Sequence, residues 1–278
     1  MKILNSTKKG DFEKEVEILR RVSRRPHPHL IALLATYRYH GRYHLVFPWA
    51  EGDLVKYWKD TAPQHDDATA RWLAEQCRGL ALGLLTIHRY RRTSTDSFKD
   101  VPGVAGPQGP HRQHPGFFFC RHGDIKPQNI LWFPGPDGSK GMLKICDFGV
   151  AELNLSDTVP RTKRPSATLM YEAPEAYVPL TNAVIGTSSD LWGLGCVFLE
   201  FLAWYLGGWK YVEDFVNRRL AVDDHIPRYF NTGRLRVGTF FLIEGEDATG
   251  VLRAAVKPPV YEVRTRSSLL FDPSFSRL

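Results

Sequence analysis

His122-Gly-Asp-Ile-Lys-Pro-Gln-Asn129, followed by Asp147-Phe-Gly149, is the stretch that decides how this chain is read. An Asp with a Lys two residues on and an Asn five residues on is the layout of a loop that handles phosphoryl transfer. Asp124 can accept a hydroxyl proton, Lys126 can neutralise a transferring phosphate, and Asn129 can offer a hard oxygen to a cation. Asp147, ahead of Phe-Gly, supplies a second oxygen ligand. Either match alone is a weak signal, since polar turns containing Asp are common. Both in order, separated by the strand-like Met142-Leu-Lys-Ile-Cys146, make a strong one.

Working outward, the 278 residues are enough for one large domain or two lobes with their own cores. A hydrophobic fraction of 43% and a charged fraction of 24% are ordinary for a globular protein, and the net charge of +7 permits acidic partners without requiring nucleic acid. The basic runs Arg20-Arg-Val-Ser-Arg-Arg25 and Arg89-Tyr-Arg-Arg92 read first as solvated helix ends. No aromatic platform or recognition motif supports a nucleic-acid reading. Cys77, Cys120, Cys146 and Cys196 include no close pair, which excludes CxxC redox and zinc spacings and suits a reducing compartment. No signal peptide is recognised at Met1. The long apolar run from Leu191 to Trp209 contains Glu200 and reads as a core helix rather than a membrane span. The expectation is an intracellular, cytoplasmic protein.

Phe12, Val16, Ile18, Leu19 and Val22 recur near the helical period, which predicts a helix capped by Asp11 and stopped by Pro26-His-Pro28. Leu30 to Tyr37 and Tyr43 to Phe47 read as strands around His40-Gly-Arg42. Asp53 should start a short helix through Trp58, Asp67 to Arg91 a long one, and Asp190 to Leu206 an apolar one. The Pro-, Gly- and polar-rich stretch from Thr93 to Pro115 reads as a surface insertion. From Gly245 to Leu278 the pattern resembles a tail more than a packed subdomain.

In that order the residues resemble the protein kinase family, over most of the chain from about Lys2 to about Trp209. The resemblance implies a two-lobed α+β fold with an incomplete small lobe over residues 1–50, a mainly helical large lobe over residues 51–245, and an unassigned tail over residues 246–278. It implies ATP and Mg²⁺ as cofactors and a Ser- or Thr-bearing protein as substrate, with no nucleic acid and no membrane involved and the oligomeric state open. Asp124 and Lys126 would be catalytic, and the Lys points to the Ser/Thr type. Asn129 and Asp147 would hold Mg²⁺. Glu15, in Phe12-x-x-Glu-x-x-x-Leu19, would hold the ATP lysine, for which Lys2 is the candidate; Lys2 reads equally as a solvated terminal charge and Glu15 as a surface helix glutamate. Phe47 matches the gatekeeper and Pro48-Trp-Ala50 the hinge, with the Pro48 carbonyl and the Ala50 N–H available to adenine, and Leu131 beneath the ring. His122, Phe148, Leu19 and Leu33 would stack into an apolar column resting on Asp190, which would hold the backbone of the catalytic loop. Ala173-Pro-Glu175 matches the end of the activation segment, and Thr168 a threonine that braces the catalytic Asp.

Three features depart from the family pattern. No G-x-G-x-x-G precedes Lys2, so the resemblance implies an N-terminally truncated member. The Arg of the usual His-Arg-Asp is Gly123; Arg121 lies close in sequence, with its side chain expected to point elsewhere. No arginine after Trp209 suggests itself as a partner for Glu175. A different class of function therefore stands beside the kinase: a catalytically inactive kinase-like binding module or fragment.

Overall fold

The computed structural model describes residues 1–4, 9–88, 90–91, 117–154, 158–160, 169–177, 184–222, 238–246 and 252–270. The insertion expected from Thr93 to Pro115 and the bracing Thr168 lie outside these residues.

The first unit is a three-stranded antiparallel sheet with one helix against it. Its strands are β1 (Lys2–Ile3), β2 (Ala35–Tyr39) and β3 (Arg42–Val46), in the order β1-β3-β2. The β2–β3 hairpin turns at His40 and Gly41, both at positive φ (45° and 76°). Two consecutive left-handed residues make a two-residue turn whose twist matches the strands. Helix α1 (Lys9–Ser23) buries Val16, Leu19 and Val22, the stripe that its sequence spacing demands. Phe12 stacks on Tyr43 with centroids 4.1 Å apart, which joins helix to sheet. The helix starts two residues before Asp11, so Asp11 is inside it and is not its cap.

The second strand begins later than the sequence suggested. Leu30 makes an isolated parallel bridge to Ile145, and Ile31 N–H and His29 O both bond to Ile145. Residues that look like a strand by hydrophobicity are used as a seam to the larger unit.

That unit carries β4 (Gly52–Asp53), α2 (Leu54–Asp60), α3 (Asp67–His88), β5 (Tyr90–Arg91), β6 (Phe117–Arg121), β7 (Ile130–Phe133), β8 (Met142–Ile145), β9 (Glu152–Asn154), β10 (Thr158–Pro160), β11 (Val184–Gly186) and α4 (Ser188–Val222). Asp53 caps α2 as expected, accepting from Lys56 N–H at 2.8 Å. Helix α3 stops at His88 and the chain turns into β5 instead of continuing to Arg91. Trp72, Trp204 and Trp132 surround Tyr57 at centroid distances of 5.5, 5.4 and 5.1 Å, so α2, α3, α4 and β7 share one aromatic core. Helix α4 breaks at Gly207 and Gly208, the latter at φ 69°. Among the described residues it is the one helix that by length and composition could cross a membrane, yet it buries Asp190, Glu200 and Arg219 within the protein.

The expected tail is folded over much of its length. β12 (Phe241–Glu246) pairs with β13 (Leu252–Val256), and α5 (Pro258–Leu270) buries Val260 and Val263 and packs on α4. Its period is weak in sequence because the buried stripe of α5 is short, Val260 and Val263, and charged and hydroxyl residues fill most of the turns between it and Leu269.

The hairpin of β7 and β8 places the chemistry-bearing residues. Ile130 pairs with Ile145, and Cys146 N–H donates to Asn129 O at 2.9 Å, so Asn129 and Asp147 flank the open end of the hairpin. The closed end is held by Trp72 Nε1–H donating to Gly141 O at 2.7 Å and Trp132 Nε1–H donating to Lys140 O at 2.9 Å. Gly141 is at φ 79°, and a Cβ there would lie 2.1 Å from Phe133 O, a backbone atom with little room to move. Gly141→Ala should therefore destabilise the protein by about 2–4 kcal/mol. Urea titration should show a lower midpoint at constant slope; an unchanged midpoint would mean the turn relaxes freely.

Candidate active site

Asp190 organises the loop from His122 to Asn129. Its Oδ2 accepts from His122 N–H at 2.7 Å and from His88 Nε2 at 2.9 Å, and its Oδ1 accepts from Gly123 N–H at 2.8 Å. Burial alone would push this carboxyl's pKa up; the His88 hydrogen bond, the nearby imidazoles and the Gly123 N–H outweigh it, and the net shift is downward. The ionised form thus persists in the core. His88 was not singled out by sequence. The one signal was its place at the end of the buried Leu80–Leu84–Ile87 face of α3, where a polar residue calls for a partner.

His122 is fully buried and joins the two motif loops. Its Nε2 lies 2.9 Å from Cys146 O, a carbonyl that can only accept, so Nε2 carries the proton. Its Nδ1 then accepts from Asp124 N–H at 3.3 Å. Burial lowers this imidazole's pKa, in keeping with that neutral tautomer. The ring tilts against Phe148 with centroids 5.0 Å apart; Phe148 and Leu19 are buried, and Leu33 is partly buried against the same core.

Within the loop, Asn129 Nδ2 donates to Asp124 O at 2.8 Å and to Asp124 Oδ2 at 2.9 Å, and Lys126 Nζ lies 2.7 Å from the same Oδ2. Asp124, Lys126 and Asn129 therefore converge as one group. Both donor hydrogens of the Asn129 amide are spent on Asp124, which leaves its Oδ1 as the group with ligating capacity.

Across the hairpin end, Lys2 Nζ contacts Glu15 Oε1 at 2.6 Å and Asp147 Oδ1 at 2.7 Å. Lys2 on β1, Glu15 on α1 and Asp147 after β8 thus form a bridge between the two units. Burial pulls the Lys2 pKa down, but the hydrogen bonds to Asp147 and Glu15 win and raise it. Burial pushes Asp147 up, but the Lys2 contact wins and lowers it. Asp147 is at φ 64°, a left-handed conformation that costs a non-glycine residue about 1–3 kcal/mol, and Gly149 N–H bonding its Oδ1 at 3.2 Å helps to hold it there.

Phe47, Pro48 and Ala50 lie on the connection between the units, half-buried, while Trp49 between them is 85% exposed. Leu131 on β7 is opposite Asp53, three residues past Ala50. No hydrogen bond or ion pair joins these four residues to the Lys2 or Asp124 groups among the described residues.

Two departures take physical form. Gly123 is at φ 81°, and a Cβ there would lie 3.3 Å from Arg121 Nη1. The Arg121 guanidinium thus occupies the room beside Gly123, contrary to the expectation that it points elsewhere, and it is paired with Glu152 at 3.0 Å. An arginine after Trp209 does enter the core, namely Arg219, but its carboxylate partner is Glu200 at 2.8 Å; Glu175 has no ion pair among the described residues.

The protein kinase domain model matches residues 111–208, which span the Asp124 loop, Asp147 and Asp190. Over those residues the chain is similar to the protein kinase family. It is 28% identical over 194 residues to cyclin-dependent kinase-like 4 of Homo sapiens, covering 68% of this chain and 38% of the relative. It is 41% identical over 81 residues to cyclin-dependent kinase C-2 C of Arabidopsis thaliana, covering 29% of this chain and 12% of the relative. With serine/threonine-protein kinase 36 of Pongo abelii the identity is 25% over 190 residues, 68% of this chain and 11% of the relative. The kinase match to the human relative thus takes in less than half of that protein's length.

The Lys2 bridge has a defined pH signature. Both side chains are about a third or more exposed, 32% for Lys2 and 41% for Asp147, so screening limits the bridge to about 1 kcal/mol. With its pKa lowered, Asp147 contributes fully above its ordinary 3.8 and loses that contribution as the pH falls through its folded value. With its pKa raised, Lys2 contributes fully below its ordinary 10.5 and loses that contribution as the pH rises through its folded value. The stability gap between wild type and Lys2→Met should be flat from about pH 4 to about pH 10 and close in stronger acid. Thermal unfolding across that range measures it, and a gap that widens in acid would contradict the bridge.

Proposed function

We propose that this chain is a protein serine/threonine kinase that transfers a phosphoryl group from ATP–Mg²⁺ to a protein hydroxyl. One observation carries the reading: Asp124, Lys126 and Asn129 are hydrogen-bonded into a single group, and Asp147 flanks the same open end of the β7–β8 hairpin as Asn129.

The oxygens available suit Mg²⁺. Asn129 Oδ1 and the Asp147 carboxylate are hard donors, and no cluster of three or more His, Cys, Asp or Glu exists among the described residues. Few protein ligands from carboxylate and amide oxygens, with phosphates completing the shell, is the usual Mg²⁺ arrangement. When bound, the cation would supply charge neutralisation at the phosphates.

The chain's own residues would do the following. Asp124 accepts the proton of the incoming hydroxyl and orients it, its carboxylate kept in place by the Asn129 amide. Lys126, already at Asp124, offsets negative charge that develops on the transferred group. Lys2, held by Glu15, presents an ammonium to phosphate oxygens. Phe47, Pro48, Ala50 and Leu131 would form the adenine end, with the Pro48 carbonyl and the Ala50 N–H as its polar groups. Catalysis of this kind is mainly positioning and electrostatics. The Lys in the loop and the kinship with serine/threonine-protein kinase 36 favour Ser/Thr over Tyr. Four free cysteines fit an intracellular setting; burial pushes Cys77, Cys120 and Cys146 up to about 12, which keeps them as unreactive thiols.

Asp124→Asn should lower phosphate transfer to a serine-rich protein about 10²–10⁴-fold while leaving ATP affinity nearly unchanged. Radiolabelled transfer and calorimetric titration of ATP, each with and without Mg²⁺, measure the two arms. Transfer at the wild-type rate would remove Asp124 from the role of base. Nucleotide binding without any transfer in the wild type would place the chain with the inactive binding modules.

A further inference from the structure

The basic run Arg20-Arg-Val-Ser-Arg-Arg25 has no part in the chemistry above. The structure divides its charges. Arg21 turns inward and is buried, its Nε donating to Glu17 Oε1 at 2.7 Å. Arg20 and Arg24 stay at the surface, one helical turn apart, with Arg24 N–H bonded to Arg20 O at 3.0 Å. Together with Ser23 and Leu33 they line an open cavity of about 250 Å³ at the end of α1.

The wall of this cavity is cationic. Glu13, Glu15 and Glu17 on α1 are each committed elsewhere, to Lys9 at 3.3 Å, Lys2 at 2.6 Å and Arg21 at 2.7 Å. The Arg20 guanidinium meets no carboxylate among the described residues. Like charges at i and i+4 repel, and an anion seated between Arg20 and Arg24 would relieve that repulsion. Ser23 adds a directed donor. Its Oγ accepts from Leu33 N–H at 3.2 Å, which leaves the hydroxyl hydrogen to be given to a guest.

The helix itself works against an anion here, because the C-terminal end of a helix is the negative end of its dipole. That costs about fivefold in affinity at most. Two carbonyls of the last turn are already covered, Arg20 O by Arg24 N–H and Val22 O by Arg25 N–H at 3.1 Å, which reduces the cost. Each charge-assisted bond from an arginine gives about tenfold, so two of them outweigh the dipole. The fourth wall narrows the choice of anion. Leu33 is apolar and partly buried, and it suits a phosphoryl group that arrives on carbon atoms. No aromatic ring lines the cavity, so it lacks the stacking surface that single-stranded nucleic acid uses.

We infer that the end of α1 is a recognition site for a phosphorylated serine or threonine of a partner protein. Arg20 and Arg24 hold the phosphoryl oxygens, the Ser23 hydroxyl donates to one of them, and the carbon atoms of the phosphorylated side chain lie against Leu33. The site uses none of the residues of the Asp124 or Lys2 groups. It goes beyond the kinase reading and stands whether or not this chain transfers phosphate.

Calorimetric titration of the full chain with a short peptide holding one phosphothreonine between alanines tests it. The same peptide without phosphate should bind about a hundredfold more weakly, and inorganic phosphate about tenfold more weakly. Arg20→Gln and Arg24→Gln should each weaken the phosphorylated peptide about tenfold. Arg42→Gln, at an exposed arginine on β3, should change its affinity by less than about twofold. Arg20 and Arg24 are exposed, so both variants should keep the wild-type thermal midpoint and report on binding alone. No measurable binding of the phosphorylated peptide, or equal binding of the two peptides, would overturn the site. Inorganic phosphate bound as tightly as the peptide would reduce it to an anion hole with no protein ligand. An equal loss in Arg42→Gln would replace it with a diffuse positive field. A single-stranded oligonucleotide that displaces the peptide, and that itself binds more weakly to Arg20→Gln, would give the site to nucleic acid instead.

Discussion

The carboxylate of Asp190 holds two backbone N–H groups and an imidazole in a place where water does not reach. An ion buried there without donors would be protonated or would unfold its surroundings, so the three hydrogen bonds and the ionised state depend on one another. The loop from His122 to Asn129 has little regular structure of its own, a single 3₁₀ turn at Pro127–Asn129. Its shape is imposed from α4 through Asp190 and from β8 through the His122–Cys146 contact. Removing either anchor leaves buried N–H groups without acceptors, and the convergence of Asp124, Lys126 and Asn129 goes with them.

Two kinds of ionic contact divide the labour. The Lys2–Glu15–Asp147 bridge is partly exposed, spans two structural units and adds little net stability. The Glu200–Arg219 pair is sealed in the core, where breaking it would strand a charge at a cost of about 3–5 kcal/mol. The first suits a contact whose members keep access to solvent. The second suits a fixed frame. Both belong to one framework, because α4 carries Glu200 and Arg219 as well as the Asp190 anchor.

Much of the site was legible because its residues are close in sequence and their spacing is chemical. Asp124, Lys126 and Asn129 sit within six positions, and Asp147 follows one hairpin later, so a short reading frame captures them. The Lys2–Glu15 pairing could be named as a candidate, but sequence left Lys2 equally readable as a solvated terminal charge. Only the folding of β1 beside β3 and the docking of α1 bring its ammonium to Glu15 and Asp147. His88, Tyr171 and Arg219 had no motif to mark them, since a polar group among apolar neighbours looks the same whether its partner is water or a carboxylate 102, 29 or 19 positions away.

The amino-acid sequence by itself determined the local elements and the chemistry they bear. Apolar spacing sets α1, Asp53 caps α2, the His40-Gly41 turn joins β2 to β3, and the Asp-x-Lys and Asp-Phe-Gly motifs name the candidate site residues. Tertiary structure decided what those signals cannot encode. It made Leu30 a seam instead of a strand, turned the weakly patterned C-terminal stretch into a docked hairpin and helix, set Arg121 beside Gly123, and gave Arg219 to Glu200 rather than to Glu175. The physical reason is common to all four. Propensity and periodicity are properties of neighbouring residues, whereas burial and ion pairing are settled by segments far apart in the chain that come together only when the core closes.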